Sequence, residues 1–148
     1  MLLKNIIDNN ISLFCLCFFL SFYFLPNNNY SYSNSFPAHD DEPSVVETAI
    51  RISDGSLNPQ FFRYPSGHMN ILAIIYKIIE FFNGELTKEN YYSIAWVFSR
   101  ICIAGIAAMV FLICSININY YFGILGIILT VLNTTLYTHA NYAIVDVP

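Results

Sequence analysis

The apolar run from Ile94 to Ile116 constrains the fold of this chain more than any other feature. Its 23 residues contain a single charged side chain, Arg100. About 20 apolar residues in a helix cross the roughly 30 Å of hydrocarbon in a bilayer. A segment in that environment must satisfy its own backbone hydrogen bonds, which restricts it to a helix unless it joins a closed barrel. The run therefore predicts a transmembrane helix over residues 93–117.

The composition agrees with an integral membrane protein. Of the 148 residues, 56% are hydrophobic and 11% are charged, whereas about 25% of an ordinary soluble domain is charged. A net charge of −4 with six lysines and arginines offers no basic surface for a phosphate backbone, so we expect membrane lipid and no nucleic acid as partner. All four cysteines lie in apolar runs and are interpreted as small hydrophobic residues. They are Cys15, Cys17, Cys102 and Cys114.

Residues 1–26 predict a first membrane helix. The apolar run from Ile11 to Leu25 is short for a span unless Ile6 and Ile7 are included. A cleaved signal peptide and a retained signal anchor both fit, and the absence of a small-x-small cleavage pattern favours the anchor. Lys4 is the only basic residue before the run, and by the positive-inside rule it favours a cytoplasmic N-terminus. The following residues, 27–92, then form an outer loop.

Two amphipathic helices are predicted in this outer loop. The first covers about 43–53, where Ser44 and Glu47 have capping-box spacing and Gly55 supplies a stop. The second covers about 68–82. Its 15 residues reach only about 22 Å at 1.5 Å per residue, which is too short for a span, so we expect it to lie in the membrane interface.

A third transmembrane helix is predicted over residues 120–138, after a break at Asn117-Ile118-Asn119. Residues 139–148 would form an outer loop and the start of a next helix. With three spans, Asp41 and Asp146 approach the same outer face. If residues 68–82 also spanned, Asp146 would face the cytoplasm, so labelling that places these two acids on opposite sides would contradict a shared site.

The acidic cluster Asp40-Asp41-Glu42 is the main candidate for chemistry. Carboxylates at a helix N-terminus stabilise the helix dipole by about 0.3–1 kcal/mol, which is one explanation. The other is a general base or metal ligand at the membrane surface, because carboxylates near hydrocarbon are costly to maintain. The sequence leaves both open.

The other candidate functional residues are Arg100, Asp146 and three histidines. Arg100 fits a structural ion pair, snorkelling to the interface, or a clamp for an anionic group. Asp146 fits a helix cap or a second acid. His39, His68 and His139 could join the acids around a divalent metal, but their spacing is not diagnostic. No metal ligand is assigned, and the cofactor stays unknown.

Four motifs follow one another between about Pro37 and Pro148, and they read His39-Asp40-Asp41-Glu42-Pro43, Gly55-Ser56-Leu57-Asn58-Pro59-Gln60-Phe61-Phe62 with Tyr64-Pro65-Ser66, Ser99-Arg100, and Tyr137-Thr138-His139-Ala140-Asn141-Tyr142-Ala143-Ile144-Val145-Asp146-Val147-Pro148. The first two resemble the first outer loop of glycosyltransferase family 39, the dolichyl-phosphate-mannose protein mannosyltransferase group. The third resembles the Ala-Arg segment of that family, and the fourth resembles its later outer motif, which ends in Asp-x-Pro.

The resemblance implies an all-α membrane protein, part of a GT-C bundle, with about three transmembrane helices here and interfacial helices in the first outer loop. It also implies inverting transfer of a mannose-like sugar from a polyprenyl- or dolichyl-phosphate donor to an acceptor hydroxyl on a protein, lipid or glycan. The reaction would occur on the non-cytoplasmic side of the plasma membrane or endoplasmic reticulum. Asp41 would be the general base and Glu42 its support. The donor or cavity residues would be Arg100, Asp146, Asp40, Tyr64 and His139.

The chain stops at Pro148, where the resemblance implies further spans. We therefore expect the 148-residue product to be inactive alone, as a fragment or a relic. The alternative is a small non-catalytic membrane protein, such as an assembly partner or a transporter fragment, in which Arg100 and the acids form ion pairs.

Overall fold

The computed structural model describes residues 2–25, 41–56, 58 and 66–140, and this part of the chain is all helical, with six helices and no strand. The all-α prediction is confirmed for these residues. The helices are α1 (Leu2–Phe24), α2 (Glu42–Ser53), α3 (Ser66–Asn83), α4 (Lys88–Asn117), α5 (Tyr120–Leu132) and α6 (Thr134–His139).

The chain divides into two compact units. The loop unit contains α2, α3 and α4 up to Ser99, and the hairpin unit contains α1, α4 from Arg100 onward, α5 and α6. Each unit has its own core, and each is described by itself below.

The loop unit packs around the buried faces of α2 and α3. Fully buried side chains recur at helical spacing on both helices, which gives each one an apolar inner face. They include Val45, Val46 and Ala49 from α2, Met69, Leu72 and Tyr76 from α3, and Tyr92 and Ala95 from α4. The Tyr76 hydroxyl donates a hydrogen bond of 2.9 Å to the backbone oxygen of Tyr91. This bond ties α3 to the start of α4.

Helix α2 begins one residue earlier than predicted, and its cap differs. Asp41 is the N-cap, and its side chain accepts no capping hydrogen bond. The predicted capping box at Ser44 is therefore wrong: Ser44 lies inside the first turn, because Pro43 is accommodated in that turn, where its missing N–H costs no helical bond.

The end of α2 follows the predicted glycine stop. Gly55 has a φ of 101°, a left-handed conformation that glycine adopts without steric cost. Ser56 N–H donates to Arg51 O and Gly55 N–H donates to Ile52 O, both at 3.0 Å. This pair of bonds is a Schellman motif, and it satisfies carbonyl groups that the helix end leaves open.

The hairpin unit packs α1 against two antiparallel helices. Leu25, just after α1, clusters with Ile103 and Ala104, whereas Cys17 clusters with Ala108 and Phe111 further along α4. The direction of α4 is therefore opposite to that of α1. Helix α5 follows the turn at Asn119, whose side chain accepts from Phe122 N–H at 3.1 Å.

Close approach of α4 and α5 depends on two glycines. A Cβ at Gly123 would lie 2.0 Å from Ser115 Oγ and 2.9 Å from the Phe111 ring, and one at Gly126 would lie 2.9 Å from Val110 Cγ1. Real Cβ contacts are never this short. These two glycines thus allow α4 and α5 to pack closely against each other.

The helix predicted over 120–138 is in fact divided at Asn133. This residue has extended backbone (φ −64°, ψ 114°), and its side chain accepts a hydrogen bond from Leu136 N–H at 3.0 Å. Asparagine competes for backbone hydrogen bonds in this way, which favours a cap over a helix interior. Helix α5 therefore ends at Leu132, and α6 starts anew at Thr134.

Among the residues described, α4 is the one helix that is both long and apolar enough to cross a membrane. The apolar part of α1, Asn10–Phe24, and α5 are shorter. The structure thus contains one clear candidate span.

Candidate functional site

Glu42 is completely buried, although it is a charged residue in the first turn of α2. Its Oε1 accepts a hydrogen bond of 3.0 Å from the indole N–H of Trp96 on α4. Buried carboxylates need such partners, because an unsatisfied charge in the interior is costly. The bond joins the start of α2 to α4 inside the loop unit.

Asp41 directly precedes this buried anchor. It is half-buried at the N-cap position, next to the positive end of the helix dipole. Its side chain accepts no capping hydrogen bond from the first turn of α2. The buried Glu42 fixes the backbone on one side of it.

Trp96 was not identified from the sequence. It is the only tryptophan in the chain, and that was the available signal, since indole groups usually bury their ring and donate through their N–H. Glu42 also shares helical spacing with Val45 and Ala49, which are buried. This spacing indicates that Glu42 lies on the inner face of α2.

Arg100 caps the C-terminal end of α1 in the hairpin unit. Its Nη2 donates to the backbone oxygens of Phe22 at 3.3 Å and Leu25 at 3.4 Å, and the guanidinium carbon lies 4.6 Å from the Phe22 ring centre. The last carbonyls of a helix lack helical partners and carry negative partial charge, which a cation stabilises. The arrangement combines this with a cation–π contact.

His139 is the last residue of α6 and is half-buried. The next residue, Ala140, is buried in the cluster that contains Leu25, and Leu25 also accepts the bond from Arg100. Arg100 and His139 therefore belong to the same end of the hairpin unit.

The structure brings some candidates together but not all. Asp41 and Glu42 are adjacent in the loop unit, and Arg100 and His139 share one end of the hairpin unit. Asp40, Tyr64 and Asp146 lie outside the described residues, as does His39.

His68 belongs to the loop unit and is not near the acids of α2 in any described contact. Its ring centre lies 5.1 Å from that of Phe98, and its Nε2 has no hydrogen-bond partner among the described residues. Burial lowers the pKa of this imidazole, because a charged form would be desolvated. The described contacts of His68 are those of a packed side chain.

A second polar cluster lies on the loop unit around Glu80. Glu80 accepts hydrogen bonds from the Tyr91 hydroxyl and from Lys77 Nζ, the latter at 3.3 Å. The Tyr91 bond is the largest cause that lowers the pKa of Glu80, with Lys77 contributing in the same direction. The network joins α3 to α4 at the surface.

Within the described ranges, no group of three or more histidines, cysteines or acids has an arrangement that could hold a metal ion. No protein-family model matches the chain, and neither a curated protein nor a solved structure matches it.

Proposed function

We propose that the chain belongs to an integral-membrane glycosyltransferase of the GT-C type, which transfers a mannose-like sugar from a polyprenyl- or dolichyl-phosphate to an acceptor hydroxyl. The observation that carries the proposal is the pairing of two neighbouring acids with different environments. Glu42 is buried and bonded to Trp96, while Asp41 is half-buried without a capping bond. Because neighbouring acids in different environments can have different roles, we assign Glu42 a structural role and Asp41 the chemical one.

The proposed reaction uses Asp41 as general base. Its carboxylate takes the proton of the acceptor hydroxyl, and the oxygen attacks the anomeric carbon of the donor sugar. The bond from that carbon to the lipid phosphate breaks, the phosphate leaves with the electron pair, and the anomeric configuration inverts. Glu42 acts as a positioning residue, because its bond to Trp96 holds the first turn of α2.

The proposed membrane arrangement has three spans, with the acids outside. The antiparallel packing of α1 with α4 and of α4 with α5 supports it, since successive spans must alternate in direction. Helix α5 alone has 13 residues and reaches about 20 Å, so the third span would comprise α5 and α6 together. In this arrangement α2 and α3 belong to an outer loop. The exposed side of α3 is apolar, at Ile71, Ile74, Ile78, Phe81 and Phe82, which supports an interfacial position.

Arg100 is proposed to hold the end of α1 rather than to clamp the donor phosphate. Its Nη2 is directed at two backbone oxygens. His139, Asp40, Tyr64 and Asp146 stay assigned to the donor cavity through the resemblance alone. The localisation is either the plasma membrane or the endoplasmic reticulum, with the loop on the non-cytoplasmic side.

The test is sugar transfer in membranes of the natural host, with substitutions made in the gene so that the natural product is assayed. Asp41→Asn should reduce transfer from a dolichyl-phosphate-linked mannose by at least about 100-fold, the usual lower value for a general base. The matched control is Glu47→Gln, because Glu47 is an exposed acid of the same helix and should leave transfer unchanged. Equal activity of the two variants would refute the assignment.

A second candidate function, a non-catalytic membrane protein, is favoured by the contacts of Glu42 and Arg100. Both charged groups bind within their own unit, to an indole and to backbone oxygens. Such contacts suit a structural role without any substrate. This function is favoured if host membranes that contain the unaltered protein show no sugar transfer.

A further inference from the structure

The hairpin unit contains an apolar groove that is separate from the acids. It lies between α1 and α5, with a volume of about 450 Å³. Side chains one helical turn apart line it on both sides, including Leu13, Leu16 and Leu20 from α1 and Ile124, Ile128 and Val131 from α5. Cavities of about 300–1,000 Å³ are typical of small-molecule sites.

One polar group that lines this groove, the Ser21 hydroxyl, has no hydrogen-bond partner among the described residues. Ser21 lines the groove near the end of α1, and only 1% of its surface is exposed. Its Oγ has no hydrogen-bond partner among the described residues. A buried hydroxyl without a partner costs about 1–3 kcal/mol, so an acceptor supplied by a ligand would be favoured there.

The length of the groove matches one leaflet of a bilayer. From Leu13 to Phe24 it extends along eleven rises of about 1.5 Å, or roughly 16 Å. Half of the 30 Å hydrocarbon thickness is about 15 Å. A single acyl chain of one leaflet fits this length, whereas a polyprenyl chain is much longer.

The position of Ser21 matches the polar end of such a chain. It lies three residues, about 4.5 Å, before the last residue of α1. In a spanning helix that depth is close to the boundary between hydrocarbon and headgroups, where the ester groups of glycerolipids lie.

We propose that the groove between α1 and α5 binds one acyl chain of a glycerolipid, whose ester carbonyl oxygen accepts a hydrogen bond from Ser21 Oγ. The bound lipid would fill the apolar face between the two helices and stabilise the hairpin unit. This site is independent of sugar transfer, so its test does not require activity.

The test is native mass spectrometry of the protein reconstituted in vesicles of palmitoyl-oleoyl phosphatidylcholine and then mildly solubilised. We expect one retained phosphatidylcholine per chain. Ile128→Trp should fill the groove and lower the retained fraction at least fivefold. Leu129→Trp is the matched control, because Leu129 is the next residue and is 62% exposed. It should retain the lipid.

Ser21 provides a second, gentler variant in case the tryptophan disturbs folding. Ser21→Ala should weaken retention about two- to tenfold, as expected for one hydrogen bond, while Ser21→Thr should retain the lipid. The proposal is overturned if no phosphatidylcholine is retained, if the 128 and 129 variants lose it equally, or if protein from native membranes carries a polyprenyl phosphate there instead.

Discussion

At the residue scale, Arg100 shows how a charge within an apolar run is accommodated. Its Nη2 donates to two carbonyl oxygens at the end of α1 and its guanidinium lies over the Phe22 ring. The sequence predicted that this cation needs a partner, but the partner was expected to be an acid, a headgroup or a substrate. A backbone partner has no sequence signature, since every residue has a carbonyl group, so this contact was not predictable.

Replacement of Arg100 by alanine should destabilise the hairpin unit by about 1–2 kcal/mol, at the lower end for charged hydrogen bonds because both distances are long. Lysine should restore only part of this, since it lacks the planar fork. The measurement is the free energy of unfolding in mixed micelles. Arg51→Ala is the control, because Arg51 is exposed and its 2.8 Å hydrogen bond to Thr48 lies within its own helix. A loss of transfer without any loss of stability would instead indicate a substrate clamp.

The lowered pKa of Glu80 leads to a prediction about how the stability of the fold depends on pH. Its folded pKa is lowered below the ordinary value of 4.5, mainly by the Tyr91 hydroxyl. A lowered carboxyl pKa contributes stability that is fully present above the unfolded pKa and is lost as pH falls through the folded pKa. Tyr91→Phe removes the main cause of the lowered pKa of Glu80. The free energy of unfolding of this variant should therefore fall less steeply than that of the unaltered protein as the pH drops below about 4.5. The measurement is the free energy of unfolding as a function of pH. Tyr121→Phe is the control, because Tyr121 is exposed. Identical pH curves for the unaltered protein and both variants would contradict the prediction.

At the scale of the elements, helix ends and close helix contacts decide the architecture. Gly55 ends α2 and Asn119 caps the start of α5, and the sequence predicted a break at both positions. Asn133 was missed, because it lies in an otherwise continuous apolar segment and its capping bond depends on local geometry. Periodicity located the helices well because burial follows helical spacing. It did not show that Glu42 is buried against Trp96, since such contacts join distant parts of the chain.

Glycine substitutions should separate close packing from helix propensity. Gly123→Ala should destabilise the hairpin unit by about 1–3 kcal/mol, the usual cost of overpacking, because the new Cβ would meet Ser115 and the buried Phe111 ring. Gly105→Ala is the matched control, since nothing lies within 4 Å of its Cβ position. It should be neutral or stabilise α4 by up to about 1 kcal/mol. Equal effects in chemical unfolding would contradict the close approach of α4 and α5.

At the scale of the whole molecule, one helix in the described part of the chain has the length and hydropathy of a span, and the proposed function needs two more. Helices α1 and α4 run in opposite directions within the hairpin unit, as successive spans would. Composition and apolar runs predicted the membrane class of fold. The reaction is a proposal that depends on the order of motifs and on the environments of Asp41 and Glu42.

Sidedness tests the central claim most directly, because α2 and the end of α6 share a face only if two spans, α4 and α5, separate them, and that face is the outer one only if α1 spans as well. Single cysteines at Glu47, Asn117 and Thr138, all exposed, would be introduced after the four native cysteines are replaced by alanine. An impermeant thiol reagent should label positions 47 and 138 from outside the cytoplasm, and position 117 only after permeabilisation. Labelling of 47 and 138 from opposite sides would contradict the account.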